Sequence, residues 1–491
     1  MIRRPPRSTL DRSSAASDVY KRQDPNMSHQ ISNAFEIGTN RQLFVDDHLI
    51  SCAKGVDRIL HSPIKRDVAI ASENPWEKTG FFSGSFLFDE GIYKCWYRCD
   101  DDTDGKKTGG GRWTAYAESQ DGINWEKPNL GIFNYHGSQG TNLVWKGPGS
   151  NLAPFRDPNP DVPDNQRYKG VVRTRDLLAI ASPDGLNWRL LDKEPILTER
   201  PFDSPNVSFW DTNRSEYVTY VRGLTGSGSE LKRKLDISIW KEGVRWIRRA
   251  SSKDFRTWSS PELIDIGEIP KFDFYSNSCV IYDRAPSYYF MFPSRFNVIR
   301  EPRGVNSSFS SGINDIVFMS SRDGLRFDFG FKEAFLRPGL DVNNWHNRGI
   351  YIDRGILHTG ADEMSIYGVE NRGLQTENIH RYTLRTDGFV SIRAGYGGGE
   401  FTTKPFVYSG NSMFINYSTS AVGSIRVELQ DSMGTPLKGF QIEDCIELFG
   451  DAIDEQVVWN SRRNLGSFAG KQIRLRFLFN DADIYAFKFK D

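Results

Sequence analysis

Four acidic side chains recur at a similar place ahead of strand-like segments. Glu77, Asp157, Asp203 and Asp273 precede Tyr93, Tyr168, Tyr217 and Tyr288 by 16, 11, 14 and 15 positions. Their settings are Asn74-Pro75-Trp76-Glu77, Phe155-Arg156-Asp157-Pro158, Phe202-Asp203-Ser204-Pro205-Asn206 and Phe272-Asp273-Phe274-Tyr275. A fifth segment, Asn344-Trp345-His346-Asn347-Arg348, carries no acid there, but Asp362-Glu363 follow on a later strand. Two carboxyls facing each other across a cleft can divide acid–base work. One stays protonated and gives its proton to a leaving oxygen, while the other stays ionised. Glu77, Asp157, Asp203, Asp273 and Glu363 are therefore the candidate catalytic residues. Arg156, Trp76, Tyr275, Asn277, Trp345, His346 and Arg348 supply the guanidiniums, ring faces and polar groups that hold sugar hydroxyls and sugar rings, and are the candidate binding residues.

A repeat sets where these residues stand. Four segments read Ser-x-Asp-x-x-x-(Trp/Phe): Ser119-Asp121-Trp125, Ser182-Asp184-Trp188, Ser252-Asp254-Trp258 and Ser321-Asp323-Phe327. A degenerate fifth is Thr386-Asp387-Gly388, and the aspartates are spaced by 63, 70, 69 and 64 positions. Ser and Asp side chains close tight turns on nearby backbone N–H groups, and Gly supplies a positive φ where one is needed. A second signature, Tyr followed five positions later by Arg, recurs as Tyr93–Arg98, Tyr168–Arg173 and Tyr217–Arg222, with Tyr288–Arg295 as a looser copy and only Gly355-Ile356-Leu357-His358 in the fifth unit. Units of about 65 residues with short alternating strands and no amphipathic helix match four-stranded blades. The fold expected is all-β: a five-bladed β-propeller followed by a C-terminal β-sandwich. The aspartates of the repeat (Asp121, Asp184, Asp254, Asp323 and Asp387) belong to turns and are set aside as catalysts.

The expected domain limits are a non-native or disordered leader over 1–26, the propeller over 27–388 and a jelly-roll-like sandwich over 389–491. Residues 1–23 are basic and Ser-rich without an apolar stretch, and resemble translated sequencing-adapter read-through. A signal peptide lost from this end would make the protein secreted or periplasmic; otherwise it is cytoplasmic. The sandwich is read from alternating segments such as Ser424–Leu429 and Ile473–Phe477, after the hinge Gly397-Gly398-Gly399.

Lys+Arg and Asp+Glu both number 63, so the net charge is zero and nothing points to nucleic acid or an anionic membrane. No run of about 18 apolar residues could cross a bilayer as a helix. Five cysteines in no close pattern give neither a disulfide framework nor a zinc ribbon, and no metal or cofactor is expected.

Phe155-Arg156-Asp157-Pro158, followed by Tyr168, resembles the Arg-Asp-Pro motif of glycoside hydrolase family 32. The wider group is the five-bladed invertase, levansucrase and arabinanase superfamily. The resemblance implies that Asp157 stabilises an oxocarbenium-like transition state, with Asp203 standing where the family's general acid would be. The family's Trp-x-Asn-Asp-Pro-Asn nucleophile motif and its Glu-Cys motif are both absent, which makes this a divergent member. The function expected is hydrolysis of O-glycosyl bonds in an oligo- or polysaccharide bound in the central funnel. A non-catalytic glycan-binding propeller and a protein-interaction propeller share the architecture. The three differ in whether two carboxyls face a concave axis.

Overall fold

The computed structural model describes residues 35–78, 80–100, 112–203, 205–225, 244–267, 272–303, 311–460 and 463–491. The leader expected over 1–26 lies outside them. The described chain is all-β, with only single-turn helices between strands.

Five antiparallel sheet units follow one another along the chain. The first joins Phe81–Asp89, Ile92–Asp100, Arg112–Ser119 and Leu143–Trp145. The second joins Phe155–Arg156, Tyr168–Arg173, Leu177–Ser182 and Arg189–Leu190, and the third Val207–Asp211, Glu216–Thr225, Val244–Ser252 and Glu262–Leu263. The fourth is split in two. Asp273–Phe274, Ser294–Asn297 and Ile313–Ile316 form one half, and Val280–Ile281, Tyr289–Met291 and Met319–Ser321 the other. Pro293 stands at the break in its second strand, where the chain has no N–H to give the ladder. This is why the fourth Tyr–Arg copy is stretched. In the fifth unit, Tyr351–Ile352 and Leu357–His358 both pair with Glu363–Glu370, which pairs with Asn378–Arg385. Gly355–His358 thus belongs to the first strand of that sheet, not to the second-strand position expected from the repeat.

The outermost strand of the fifth sheet comes from the other end of the chain: Ile64–Ile70 pairs with Asn378–Arg385. Each sheet packs on the next, and the fifth packs back on the first through Glu363–Glu370 and Phe81–Asp89. The cycle is closed, and no sheet is left with a free packing face. The first strands of all five sheets line one cavity of about 550 Å³, to which Phe86, Phe155, Phe209, Val280 and Leu357 each contribute.

The Ser–Asp turns are built alike. The serine Oγ accepts from the Gly122, Gly185 and Gly324 N–H at 2.9 Å. In all four copies the aspartate Oδ1 accepts two further N–H groups at 2.7–2.8 Å. Burial works to raise these carboxyls, but the backbone donors hold all four below the usual range. The residue after the aspartate has positive φ, and in the third copy Phe255 adopts it at 61° in place of glycine. These turns also tie the ring together. Gly185 O accepts from Trp96 of the first sheet at 2.6 Å, Gly324 O accepts from Tyr220 of the third at 2.7 Å, and Gly122 O accepts from Tyr367 of the fifth.

The remaining strands form one ten-stranded sheet. It contains Val390–Ala394, Gly399–Thr403, Ser412–Asp431 and Ile473–Lys490, and also the N-terminal strands Phe35–Gly38, Gln42–Leu43, Ile50–Lys54 and Val56–Leu60. Residues 35–60 therefore pair with the C-terminal segment, and the expected boundary of 27–388 is corrected at its start. Pairing between chain ends has no local sequence signal, so spacing along the chain could not show it. Phe401 and Phe477 stack at 4.6 Å in the core beneath this sheet. The degenerate fifth turn joins the two parts. Asp387, fully buried, meets Arg41 at 3.0 Å, Arg284 at 2.9 Å, the Tyr282 hydroxyl at 2.7 Å and Asn416 at 3.1 Å.

Candidate functional site at the arginine end of the ring

The ring has two ends, and strand register assigns each residue to one of them. Tyr168 pairs with Ser182 and Tyr217 with Ser252, so the second-strand tyrosines lie at the end that carries the Ser–Asp turns. Five positions of extended chain separate each from its arginine, about 17 Å. Arg98, Arg173 and Arg222 therefore gather at the opposite end. The Tyr–Arg repeat was the sequence signal for these arginines.

Asp203 lies at that opposite end, with its side chain about half exposed. Arg173 and Arg222 approach it at 3.9 and 3.8 Å, and the Tyr275 hydroxyl donates to it at 3.3 Å. Arg348 donates to Tyr275 Oη at 2.9 Å, and Arg222 lies over the Tyr275 ring at 4.4 Å. Arg348 takes φ 65°, a left-handed conformation that costs a non-glycine residue strain and is held here by bonds to Tyr275 and to Asn347 Oδ1 at 2.6 Å. Partial burial works to raise the Asp203 carboxyl. Arg222, Arg173, the Tyr275 hydroxyl and Arg348 outweigh it and hold the group below the usual carboxylate range. Asp203 is thus an ionised carboxylate in a crown of guanidiniums.

A second carboxyl at this end has no sequence signature. Glu377 sits in the hairpin between Glu363–Glu370 and Asn378–Arg385, buried, with Oε2 accepting the Gly373 N–H at 2.5 Å. Its Oε1 is buried and has no hydrogen-bond partner among the described residues. Burial pushes its pKa up to about 8, against the pull of Arg372 and the Gly373 N–H; Asp100 adds to the rise. Asp353, on the first strand of the fifth sheet, is also buried and pushed up to about 8, with the Gly84 N–H its donor at 2.8 Å. Asp203 and Glu377 thus lie at the same end of the ring with their carboxyls pushed in opposite directions.

The other expected acids are not gathered here. Asp157 lies at the Ser–Asp end, fully buried, bonded by Lys169 Nζ at 2.6 Å, the Tyr217 hydroxyl at 2.8 Å and the Asn159 N–H at 3.0 Å. It ties the second sheet to the third. Arg156 lines the cavity at the same end and donates to the Asp157 carbonyl at 2.7 Å. The Arg-Asp-Pro resemblance implies a role for Asp157 together with Asp203, but the two stand at opposite ends of the ring. Glu77 caps its own turn by accepting the Glu73 and Asn74 N–H groups, and also binds Lys127 at 2.8 Å and Tyr97 at 2.7 Å. Trp76 is core, bonded to Asn142 at 3.0 Å. Asp273 is buried at the correct end but is clamped by the Arg245 backbone N–H and guanidinium. Asn277 braces the fourth sheet through the Cys279 N–H at 3.1 Å and the Pro205 and Tyr220 carbonyls at 3.3 Å. Glu363 points outward to Arg381 at 2.8 Å and Arg66 at 3.6 Å. His346 is fully buried, which lowers its pKa, and Trp345, partly exposed, donates to the Gly339 carbonyl at 2.9 Å. Of the expected set, Asp203, Tyr275 and Arg348 are brought into direct contact at the arginine end. Among the described residues no cluster of His, Cys, Asp and Glu could hold a metal ion.

No family model matches the chain, and no curated protein matches it. Solved structures do. A protein described as a glycoside hydrolase aligns at TM-score 0.43 and 13% identity, over 66% of this chain and 92% of its own. A structure described under the glycoside hydrolase family 130 mannoside phosphorylases, with hydrolases that target beta-1,2 mannosidic linkages in Candida mannan, aligns at 0.42 and 14%, over 66% and 94%. A family 43 arabinoxylan arabinofuranohydrolase from Bacillus subtilis, in complex with cellotetraose, aligns at 0.39 and 12%, over 86% of this chain and 99% of that one. The likeness is one of chain trace, with no residue correspondence attached to it.

Proposed function

We propose that this protein is a five-bladed β-propeller with a C-terminal β-sandwich, acting as a glycoside hydrolase at the arginine-crowned end of its axis. The closed cycle of five sheets and a cavity lined by all five first strands support the architecture. The observation that carries the function is that two carboxyls at one end of the ring are pushed in opposite directions: Asp203 down by its arginines, and Glu377 up by burial. In this reading Glu377 gives its proton to the leaving glycosidic oxygen. Asp203 stabilises positive charge developing at the anomeric carbon, or orients water toward it. Tyr275 and Arg348 position the sugar.

The test is release of new reducing ends from a panel of plant and algal glycans by the parent protein, Asp203→Asn and Glu377→Gln. The reading requires turnover in the parent and a fall of about 10²-fold or more in each variant. A parent that turns over at the same rate as both variants would refute it. One observation favours a second reading, a glycan-binding propeller without turnover: Glu377 is almost fully covered. Binding that survives both substitutions, with no product from the parent, would support that reading instead.

A further inference from the structure

The axial cavity is a second site, at the mouth opposite Asp203. We propose that it binds a small aromatic acid, with the carboxylate on Arg354 and the ring among the aromatics of the rim. This inference stands apart from the hydrolase reading, which concerns the arginine end. Strand register fixes the place. Phe88 pairs with Tyr93 and Trp210 with Tyr217, so both lie at the Ser–Asp end. Phe88, Tyr93 and Trp210 line the cavity there, and Phe88 is 55% exposed, so the mouth is open at its position.

Arg354 makes the floor. It stands between Tyr351–Ile352 and Leu357–His358, and its side chain reaches across the axis. Nη1 donates to the Pro154 carbonyl at 2.8 Å, ahead of the second sheet, and to Ser85 Oγ of the first sheet at 3.3 Å. The guanidinium also lies 5.9 Å from the Phe209 ring of the third sheet. Both acceptors are neutral. Nε is buried with no hydrogen-bond partner among the described residues. Burial lowers the pKa of Arg354 to about 10. The adjacent Asp353 supplies no counter-charge, because its own burial raises it to about 8 and its donor is the Gly84 N–H. The other charged side chains lining the cavity have partners. Arg156 lies 3.6 Å from Asp89, and Asp283 meets His358 at 3.1 Å.

A guanidinium taken out of water without a counter-charge is costly, and a carboxylate delivered to it makes a charge-assisted bond in the same low-dielectric setting. The walls between floor and rim are apolar: Phe86, Phe155, Phe209, Val280 and Leu357. They suit a ring better than a hydrated ion. Ser85 to Phe88 is three residues of extended chain, about 10 Å, which accommodates a ring and a short acid arm. A volume of about 550 Å³ is in the range of small-molecule sites.

The test is calorimetric titration of the full chain with cinnamate, its neutral amide, acetate and inorganic phosphate. Cinnamate should bind about tenfold or more tighter than each of the other three. Arg354→Gln should cost cinnamate about tenfold and bring it level with the amide. Phe88→Ala removes an exposed ring, leaves the fold intact and should weaken cinnamate about three- to tenfold while leaving acetate unchanged. Asp203→Asn, at the other mouth, should leave cinnamate binding as it is. Equal affinity for cinnamate and its amide overturns the proposal, as does phosphate or acetate binding as tightly as cinnamate. Cinnamate affinity that survives Arg354→Gln and Phe88→Ala, or that is lost in Asp203→Asn, also overturns it, because the acid would then sit elsewhere.

Discussion

Glu377→Gln should make the protein more stable at alkaline pH and lower its turnover about 10²-fold or more. The side chain is almost fully buried, and its carboxyl is raised from 4.5 to about 8 by that burial. The sign follows from linkage. Below about pH 4.5 the carboxyl is protonated in both folded and unfolded chains, and the stability it carries is fully present. Between 4.5 and about 8 the unfolded chain gives up the proton and the folded chain keeps it, so stability falls as pH rises. Above about 8 the loss is complete. A rise of this size, at about 1.4 kcal/mol per unit, corresponds to about 5 kcal/mol. Glutamine keeps the shape and can still accept the Gly373 N–H, but it does not titrate. The two proteins should therefore melt together near pH 4.5. The variant should melt higher at pH 8.5, on the order of 10 °C if each kcal/mol is worth about 2 °C in a chain of this size. Thermal denaturation followed by circular dichroism across this range measures the difference. Asp353 contributes a similar slope to both proteins and cancels in the comparison. Parallel melting curves at all pH values would refute the argument, because they would mean that Glu377 is solvated or paired in the folded chain. Greater stability together with lost turnover is the signature of a group kept for chemistry at a cost in stability.

Other expectations follow from the same geometry. Asp157→Asn leaves the Lys169 ammonium buried without its counter-charge and should cost about 3–5 kcal/mol, seen as a lower melting temperature, while saccharide affinity of the folded fraction is unchanged. Loss of affinity with no loss of stability would return Asp157 to the site. Asp203→Asn, at a half-exposed position, should leave stability within about 0.5 kcal/mol and lower turnover about 10²-fold or more. Gly185→Ala places a Cβ 2.7 Å from Trp96 at φ 80° and should destabilise by about 2–3 kcal/mol in denaturant titration. Removing residues 1–71 deletes Ile64–Ile70, opens the edge of the fifth sheet and should give aggregates in size-exclusion chromatography.

The amino-acid sequence determined what is local. Each Ser–Asp turn closes within six residues, so its bonds are written in neighbouring side chains, and its recurrence marked the spacing of the units. The Tyr–Arg spacing marked the two ends of the second strand in the first three sheets for the same reason. Asp203 and Arg348 were legible as polar residues just ahead of a first strand. Tertiary structure decided which end each residue serves. Asp157 and Asp203 stand in similar sequence settings, yet one follows its first strand and the other precedes it, so they lie at opposite mouths of the ring. Glu377 could not be found from sequence, because its pKa is set by burial between segments distant along the chain. The pairing of residues 35–60 with the C-terminal sheet, and of Ile64–Ile70 with the fifth, is equally non-local. Only the folded chain brings those ends together, because the ring must close and an unpaired sheet edge is costly.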